Sequence, residues 1–380
     1  MQKMLSIVIP TKNRYNTLMP VLDVLCSNFS DADVEIIVED NSDDNSLFIK
    51  YLSNINSNHI LYHHNIKKVS IVENAESALK RASATYVLFI GDDDIVSPHI
   101  ISFLRKLKEE NSEIEAISYP AGYYWWDSVR FKKETPFYSA CALWYPSETD
   151  LKIHMQNTLE ELDFALYQGG TAIFNLPRLY HGIVKNSVLD MIRTRAGKLI
   201  NGASPDMALS VALSLTITEH AYVNFPLTVY GASKNSGGGL TAENKHYGRI
   251  EDQKHLPKDS IENWSSNLPR IWSENIVYAQ SIIEVLRAFN STKKINFSAF
   301  YATLLVNEVH LYSETIPYAL SFFKSNKSDV VNFIIFLFKK TCGRIKREFN
   351  KRYFGMPFKL YRCNSIFDCN NILKNQDIIP

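Results

Sequence analysis

The sequence predicts an α/β fold with a mostly parallel central sheet, followed by a helical C-terminal region. Three observations carry this expectation. Short apolar, β-branched runs recur at residues 5–10, 34–38, 59–62 and 86–90. Segments with helical spacing lie between them at 17–29 and 73–82. Polar loops follow three of the strand ends, and strands alternating with helices build parallel sheets whose loops leave from one edge.

The first run, Leu5-Ser6-Ile7-Val8-Ile9-Pro10, has the length of a buried strand and is stopped by proline. Residues 17–29 place Leu18, Val21, Leu22, Val24, Leu25 and Phe29 close to one helical stripe. The second run, Val34-Glu35-Ile36-Ile37-Val38, ends in Glu39-Asp40-Asn41-Ser42-Asp43-Asp44. A third short strand is expected at 59–62 and a helix at 73–82. The fourth run, Tyr86-Val87-Leu88-Phe89-Ile90, delivers Gly91 and then Asp92-Asp93-Asp94, with a helix expected after Pro98.

Three adjacent carboxylates repel one another unless a cation neutralises them, and hard oxygen ligands suit Mg²⁺ or Mn²⁺. Asp-rich turns also serve simply to start helices, as Asp94 could here. Thr11-Lys12-Asn13-Arg14, the loop after Val38 and the aspartate triplet would share the carboxyl edge of the sheet, the usual ligand position in open α/β folds. Together they describe a nucleotide diphosphate site. Asp40 can accept hydrogen bonds from a base or ribose, and Arg14 suits the charged end of a ligand.

The segments from Ser6 to Arg14, Val38 to Ser42 and Phe89 to Asp94 resemble those of family 2 glycosyltransferases, which have the GT-A, Rossmann-like fold. The resemblance covers about the first hundred residues. It implies that Asp40 reads the donor base, that Pro10, Thr11 and Arg14 line the same pocket, and that Asp92 lies near the ribose. Asp93 matches the central aspartate of the DXD-type motif, which binds Mn²⁺ or Mg²⁺ bridging the diphosphate, with Asp92 or Asp94 a second candidate ligand. Many relatives carry aspartate where this chain has Gly91. Lys68 is a candidate nucleotide contact, although a solvated loop is the simpler reading.

An inverting transfer needs a base to take the proton of the acceptor hydroxyl. Asp206, in Gly202-Ala203-Ser204-Pro205-Asp206, matches the family's catalytic base, with Pro205 standing where glutamate is usual. Ser204 and Asp206 also suit helix capping, and the two roles are compatible.

On the acceptor side, Tyr167-Gln168-Gly169-Gly170 and the residues to Phe174 are expected to form a strand and close turn, with Gly170 bordering the acceptor. His181 is a candidate facing the acceptor ahead of a helix at 183–193, although a lone histidine is more often structural. The rings of 119–126, Trp125 and Trp126 among them, suit either sugar packing or a buried core. Residues 231–239 form a glycine-rich loop that would close over the donor or merely connect, and His246 beyond it is a further candidate metal ligand.

A chain of 380 residues exceeds one usual core. The expected division is a catalytic domain at 1–255, with donor half 1–118 and acceptor half 119–255, and a helical region at 256–380. A hydrophobic content of 46% fits a folded protein, and a net charge of +1 argues against a general nucleic-acid binder. Five scattered cysteines fit reduced thiols in the cytoplasm, and the first apolar run is too short for a signal peptide.

Apolar stripes at 276–289 and 297–312 precede an apolar run at 330–338 that leads into Lys339, Lys340, Arg344, Lys346, Arg347, Lys351 and Arg352. The run is too short to span a bilayer. Apolar and cationic residues together suit an interfacial helix on anionic lipid, or a helix packed on the catalytic domain with a solvated basic face. With the resemblance, this leads to an inverting, metal-dependent transfer from a nucleotide-sugar donor to a saccharide acceptor. The acceptor would be lipid-linked, at the cytoplasmic face of a bacterial membrane, in surface polysaccharide or O-antigen assembly. A sugar nucleotidyltransferase would bring a glycine-rich basic signature that Pro10 to Arg14 lacks. A non-catalytic saccharide-binding protein would not need Asp93 and Asp206 together.

Overall fold

The computed structural model describes residues 2–55, 58–110, 114–243, 247–253, 255–353 and 355–376. The chain opens as β1 (Leu5–Thr11), α1 (Tyr15–Asn28), β2 (Val34–Asp40), α2 (Ser46–Asn54), β3 (Ile60–His64), α3 (Ile71–Lys80) and β4 (Tyr86–Phe89). Strands β3, β2, β1 and β4 lie side by side and parallel, with Ile7 opposite Ile36 and Leu88. Their side chains are buried on both faces in β1, β2 and β4, the reason these strands read as continuous apolar runs. Helix α3 starts on a reciprocal capping box between Ser70 and Glu73.

Short β5 (Ile95–Val96) and α4 (Ile100–Glu110) follow, then β6 (Ala116–Ser118), β7 (Gly122–Trp125), β8 (Ala142–Pro146), β9 (Ile153–Asn157) and α5 (Thr158–Tyr167). Beyond them run β10 (Gly182–Lys185), α6 (Asn186–Ala196), α7 (Pro205–Ser214), β11 (Glu219–Val223) and β12 (Thr228–Ala232). The main sheet has eight strands in the order β3-β2-β1-β4-β10-β6-β11-β9, mostly parallel on its N-terminal side and mixed beyond β4.

Two expectations change here. Residues 182–185 are not the start of a helix: Ile183 and Val184 pair antiparallel between β4 and β6, and α6 begins only at Asn186. Burial in the sheet outweighs the helical spacing of the longer segment. Residues 168–174 form turns after α5 rather than a strand.

Helix α8 (Gly237–Ala242) grows from the glycine-rich segment, capped by Ser236 on the Gly239 amide, so these glycines begin a helix and are not a plain connection. After it come β13 (Gly248–Arg249), α9 (Lys258–Glu262), β14 (Ile271–Trp272), α10 (Glu274–Ala288), α11 (Phe297–Asn307), α12 (Tyr312–Ser325), α13 (Asp329–Tyr353), β15 (Phe358–Arg362) and α14 (Ile366–Lys374).

Residues beyond 256 contribute to the same cores as the strands before them. Ile276, Val277 and Ile282 of α10 join Met207, Ala208 and Val211 of α7 in one apolar cluster. Strand β15 adds to β8 at the edge of a second sheet, ordered β15-β8-β7-β12-β5, while Ile366, Cys369 and Leu373 of α14 enter the core under α1. Helix α13 presses Phe336 onto Ala299 and Ala302 of α11. All five cysteines are free thiols.

Candidate active site

β1, β2 and β4 end together, and their carboxyl ends carry the polar loops. Thr11, the last residue of β1, donates its hydroxyl to Asp92 Oδ2 at 2.6 Å. Asn13 takes a positive φ of 56°, turning the chain so that Arg14 projects back toward the aspartates. The Arg14 guanidinium lies 2.9 Å from Asp92 Oδ1 and 2.6 Å from Asp93 Oδ2, and it donates to Ser233 Oγ at 2.7 Å.

The three aspartates are buried but differently held. Asp94 accepts from the Gly91 and Gly231 amides, the Tyr180 hydroxyl and His181 Nε2, so both of its oxygens are engaged. Burial pulls the Asp94 carboxyl upward, but His181 and the two amides outweigh it and hold it below the usual carboxylate range. Burial pushes Asp92 up to about 7, with repulsion from Asp93 and Asp94 adding and Arg14 and Thr11 opposing. Asp93 is raised as well, by burial and by the Asp94 charge, against the pull of Arg14 and the Ser233 amide. Burial works against the charge on Arg14, yet the aspartates hold its pKa above the ordinary value.

β12 fastens this loop from the other side. The Trp126 indole donates to the Asp93 carbonyl at 2.9 Å, and a Cβ on Gly231 would stand 1.7 Å from that same oxygen. Only glycine permits this approach. At Gly91 a Cβ would meet Asp94 Oδ2 at 3.0 Å and Asp93 Oδ1 at 3.3 Å, so a further carboxylate there would crowd the pair.

Asp206 lies in the first turn of α7, with Pro205 at the first helical position. Its Oδ1 accepts from the Met207 amide at 2.9 Å and from the Ser204 hydroxyl, and its Oδ2 accepts from the Tyr278 hydroxyl at 2.7 Å. The side chain therefore helps to cap α7 while keeping a fixed direction. Tyr180 and Tyr230 feel the charges of both Asp94 and Asp206, so the two acidic groups lie near the same pair of rings.

Residues 6–160 match the family described as Glycosyl transferase family 2. Over these residues the chain is similar to that family. It is similar to S. aureus TarS 1-349 in complex with UDP-GlcNAc, at 15% identity over 83% of this chain and 79% of that one, with a TM-score of 0.46. S. aureus TarS 1-349 in complex with UDP is similar at 14% identity over 86% and 91%, with a TM-score of 0.42. A further S. aureus TarS structure is matched over 61% of this chain, which spans only 37% of that chain. No curated protein matches the sequence.

The other expected site residues do not all converge on the aspartates. Thr11, Arg14, Asp92, Asp93 and Asp94 converge as described, with Pro10 half-buried at the end of β1. Asp40 is fully buried at the end of β2, and its oxygens accept from Tyr15, Tyr62 and the Ser42 amide. In this structure it fixes two tyrosines and presents no free acceptor. Lys68 pairs with Asp43 at 3.3 Å on the exposed surface.

Of the acceptor-side residues, His181 is buried with a positive φ of 54°, its rings held between Thr228 and Asp94 and against Tyr230 at 3.6 Å. At Gly170 a Cβ would meet Ile282 of α10 and Ile295 of the connection before α11, away from the aspartates. Strand alternation divides the aromatic segment: Tyr124 and Trp126 enter the main core, while Tyr123 and Trp125 join a separate cluster on the other face. His246 lies outside the described residues.

Sequence reasoning missed Tyr278 and Glu274. Both come from α10, far along the chain from α7, and only the fold brings them to Asp206. Glu274 keeps a solvent-exposed edge, while burial of its carboxyl and the Asp206 charge raise its pKa.

The donor set suits a hard divalent cation. Asp92 Oδ1 is a buried acceptor that receives no hydrogen bond, only the charge of Arg14. Among the described residues no three His, Cys, Asp or Glu side chains gather at metal-holding distances. A cation here would take one or two carboxylates and fill its shell with phosphate oxygens and water, the habit of Mg²⁺.

Proposed function

We propose that this chain is an inverting glycosyltransferase that moves a sugar from a nucleotide-sugar donor to a saccharide acceptor. The observation that carries the reading is the paired placement of acids: Asp92 and Asp93 at the strand ends, tied by Thr11 and Arg14, and Asp206 at the start of α7, held by Tyr278 and near Tyr180 and Tyr230. The donor half is residues 1–118, the acceptor half 119–255, with the region from 256 supporting both.

The base and ribose lie along the loop after β2, where Asp40 holds the Tyr15 and Tyr62 hydroxyls in place, and Lys68 offers a cation at its edge. Asp93, with Asp92, would hold Mn²⁺ or Mg²⁺, which when bound offsets charge developing on the leaving diphosphate. Asp94 positions the loop through Gly91, Gly231 and His181. Arg14 brings a permanent positive charge to the same place, suited to phosphate oxygens once a ligand shares the carboxylates.

Asp206 takes the proton of the acceptor hydroxyl as that oxygen attacks the anomeric carbon on the face opposite the leaving nucleotide. The Tyr278 and Ser204 hydroxyls fix its direction, and Glu274 adds negative charge beside it.

Helix α13 supports attachment to the cytoplasmic face of a bacterial membrane, where a lipid-linked acceptor of surface polysaccharide or O-antigen assembly would lie. No helix among the described residues is long and apolar enough to cross a membrane. With Phe336 turned inward, Val331, Ile334, Ile335 and Phe338 stand exposed, and the basic residues follow on the same helix. Apolar insertion beside a cationic stretch is the pattern of an interfacial helix.

The direct test is nucleotide release from a panel of UDP-, GDP- and dTDP-sugars, with Mn²⁺ or Mg²⁺ or with chelator. Metal-dependent release from one donor, lost in Asp93→Ala, is expected. Donor binding indifferent both to chelator and to Asp93→Ala would overturn the metal-diphosphate reading and favour a non-catalytic saccharide-binding protein.

A further inference from the structure

The outer face of the second sheet carries a cavity that the donor site does not use. Its volume is about 690 Å³, within the roughly 300–1,000 Å³ of small-molecule sites. Trp125, Phe131 and Tyr138 form its wall, Lys132 and Lys133 its rim, and Thr241 of α8 its far side.

Three properties indicate what would fill it. The wall is aromatic, with Trp125 packed on Phe131 at 4.7 Å and on Tyr138 at 6.2 Å, a surface that accepts the C–H faces of sugar rings. The Trp125 indole N–H is buried and has no hydrogen-bond partner among the described residues, and a buried unpaired donor is costly until an oxygen meets it. The rim is cationic: neither Lys132 nor Lys133 has an ion pair among the described residues, and Glu134 does not line the cavity.

A series of ring contacts runs from the acid cluster to the cavity wall. His181, bonded to Asp94, stacks on Tyr230; Tyr230 neighbours Tyr123 at 6.4 Å, and Tyr123 packs on Trp125 at 4.6 Å. Burial and then the charges of Asp93 and Asp94 raise the Tyr123 hydroxyl. Ser233, whose amide holds Asp93, leads through Ser236 into α8 at the far side of the cavity.

We propose that this cavity is the acceptor subsite and that it takes an anionic saccharide, its charge supplied by uronate carboxylates or by phosphodiesters. The proposal rests on the transferase reading above and narrows its acceptor. Neutral sugar would satisfy the rings but would leave both lysines without a partner.

The test is calorimetric binding of three probes to the full chain: tetragalacturonate, a phosphorylated mannose disaccharide and neutral maltotetraose. The wild type is expected to bind an acidic probe at least tenfold more tightly than the neutral one, and the tighter of the two acidic probes identifies the anion. Lys132→Gln/Lys133→Gln, with an unchanged melting temperature, should abolish that preference while keeping the weak neutral binding. Tyr138→Ala should weaken all three. Equal binding of acidic and neutral probes, an acidic preference surviving in the lysine variant, or no saccharide binding would overturn the proposal. Nucleotide release by the wild type, measured without any saccharide, reads the transferase function separately. Release with no acidic preference sinks this inference alone, whereas lysine-dependent acidic binding with no release from any donor sinks the transferase reading and leaves a saccharide site.

Discussion

Arg14 Nη2 stands 2.6 Å from Asp93 Oδ2, so the guanidinium sits against the carboxylate proposed to hold the metal. The same guanidinium reaches Asp92 and Ser233, tying the loop after β1 to the acid loop and to the segment before α8. On the proposed reading, this fixed positive charge and a divalent cation would compete for one pair of carboxylates.

Replacing Arg14 by glutamine leaves the buried aspartates without their counter-ion. Breaking such a pair costs about 3 kcal/mol, so thermal denaturation in chelator should show a clear fall in melting temperature. Mn²⁺ should raise the melting temperature of Arg14→Gln more than that of the wild type. Equal gains would show that Arg14 and the cation do not share a site.

Asp206→Asn keeps the shape of the side chain and removes its basicity. Transfer to acceptor should fall by about 10²–10⁴-fold, while donor affinity, measured by calorimetry, stays within about twofold of wild type. A Tyr278→Phe variant should lose less, because the tyrosine only aims the carboxylate.

Gly231→Ala sets a methyl group against the Asp93 carbonyl. The backbone must part there, at a cost above about 2 kcal/mol, and donor affinity should drop with stability. Urea unfolding with donor titration checks both.

His220, fully buried in β11, is held down to about 4, chiefly by burial. Its unfolded value is near 6.5, so the unfolded chain binds the extra proton between these limits and stability rises with pH across that window. Acidification from pH 6.5 to 4 should therefore remove up to about 3 kcal/mol through this residue. His220→Phe should flatten that part of the melting-temperature profile.

Phe338→Ser and Ile334→Ser remove exposed apolar side chains from α13 without touching the buried Phe336. Co-sedimentation with phosphatidylglycerol vesicles should fall several-fold in these variants and with added salt, while neutral phosphatidylcholine vesicles bind little. Unchanged sedimentation would remove α13 from the membrane reading.

The N-terminal strands were legible because β1, β2 and β4 are buried on both faces and so read as unbroken apolar runs. β10 was hidden because Gly182–Lys185 is short and runs directly into a helix, so a periodic pattern absorbed it. The acid cluster was visible as a triplet, but adjacent identical residues give no sign of which one turns inward. Asp94 meets His181 and Gly231 only because strands distant in sequence meet there. Tyr278 was illegible for the same reason: it reaches Asp206 across 72 positions of chain. The doubled role of the aromatic segment needed the strand itself, since alternation sends Trp125 and Trp126 to opposite faces.

The last strand and helix of the described chain carry a consequence for biosynthesis. β15 closes the edge of the second sheet beside β8, and α14 fills the core beneath α1, so the earliest and latest segments complete one another. A ribosome making this protein therefore releases the acid loop and its sheet long before their cover exists. Contacts of such long sequence separation form late, and the emerging chain holds an open flank until about residue 374 is free. A chain cut short near residue 350 would present bare strand edge and apolar surface to quality control, and would be cleared as an unfinished product rather than persist as a smaller working enzyme.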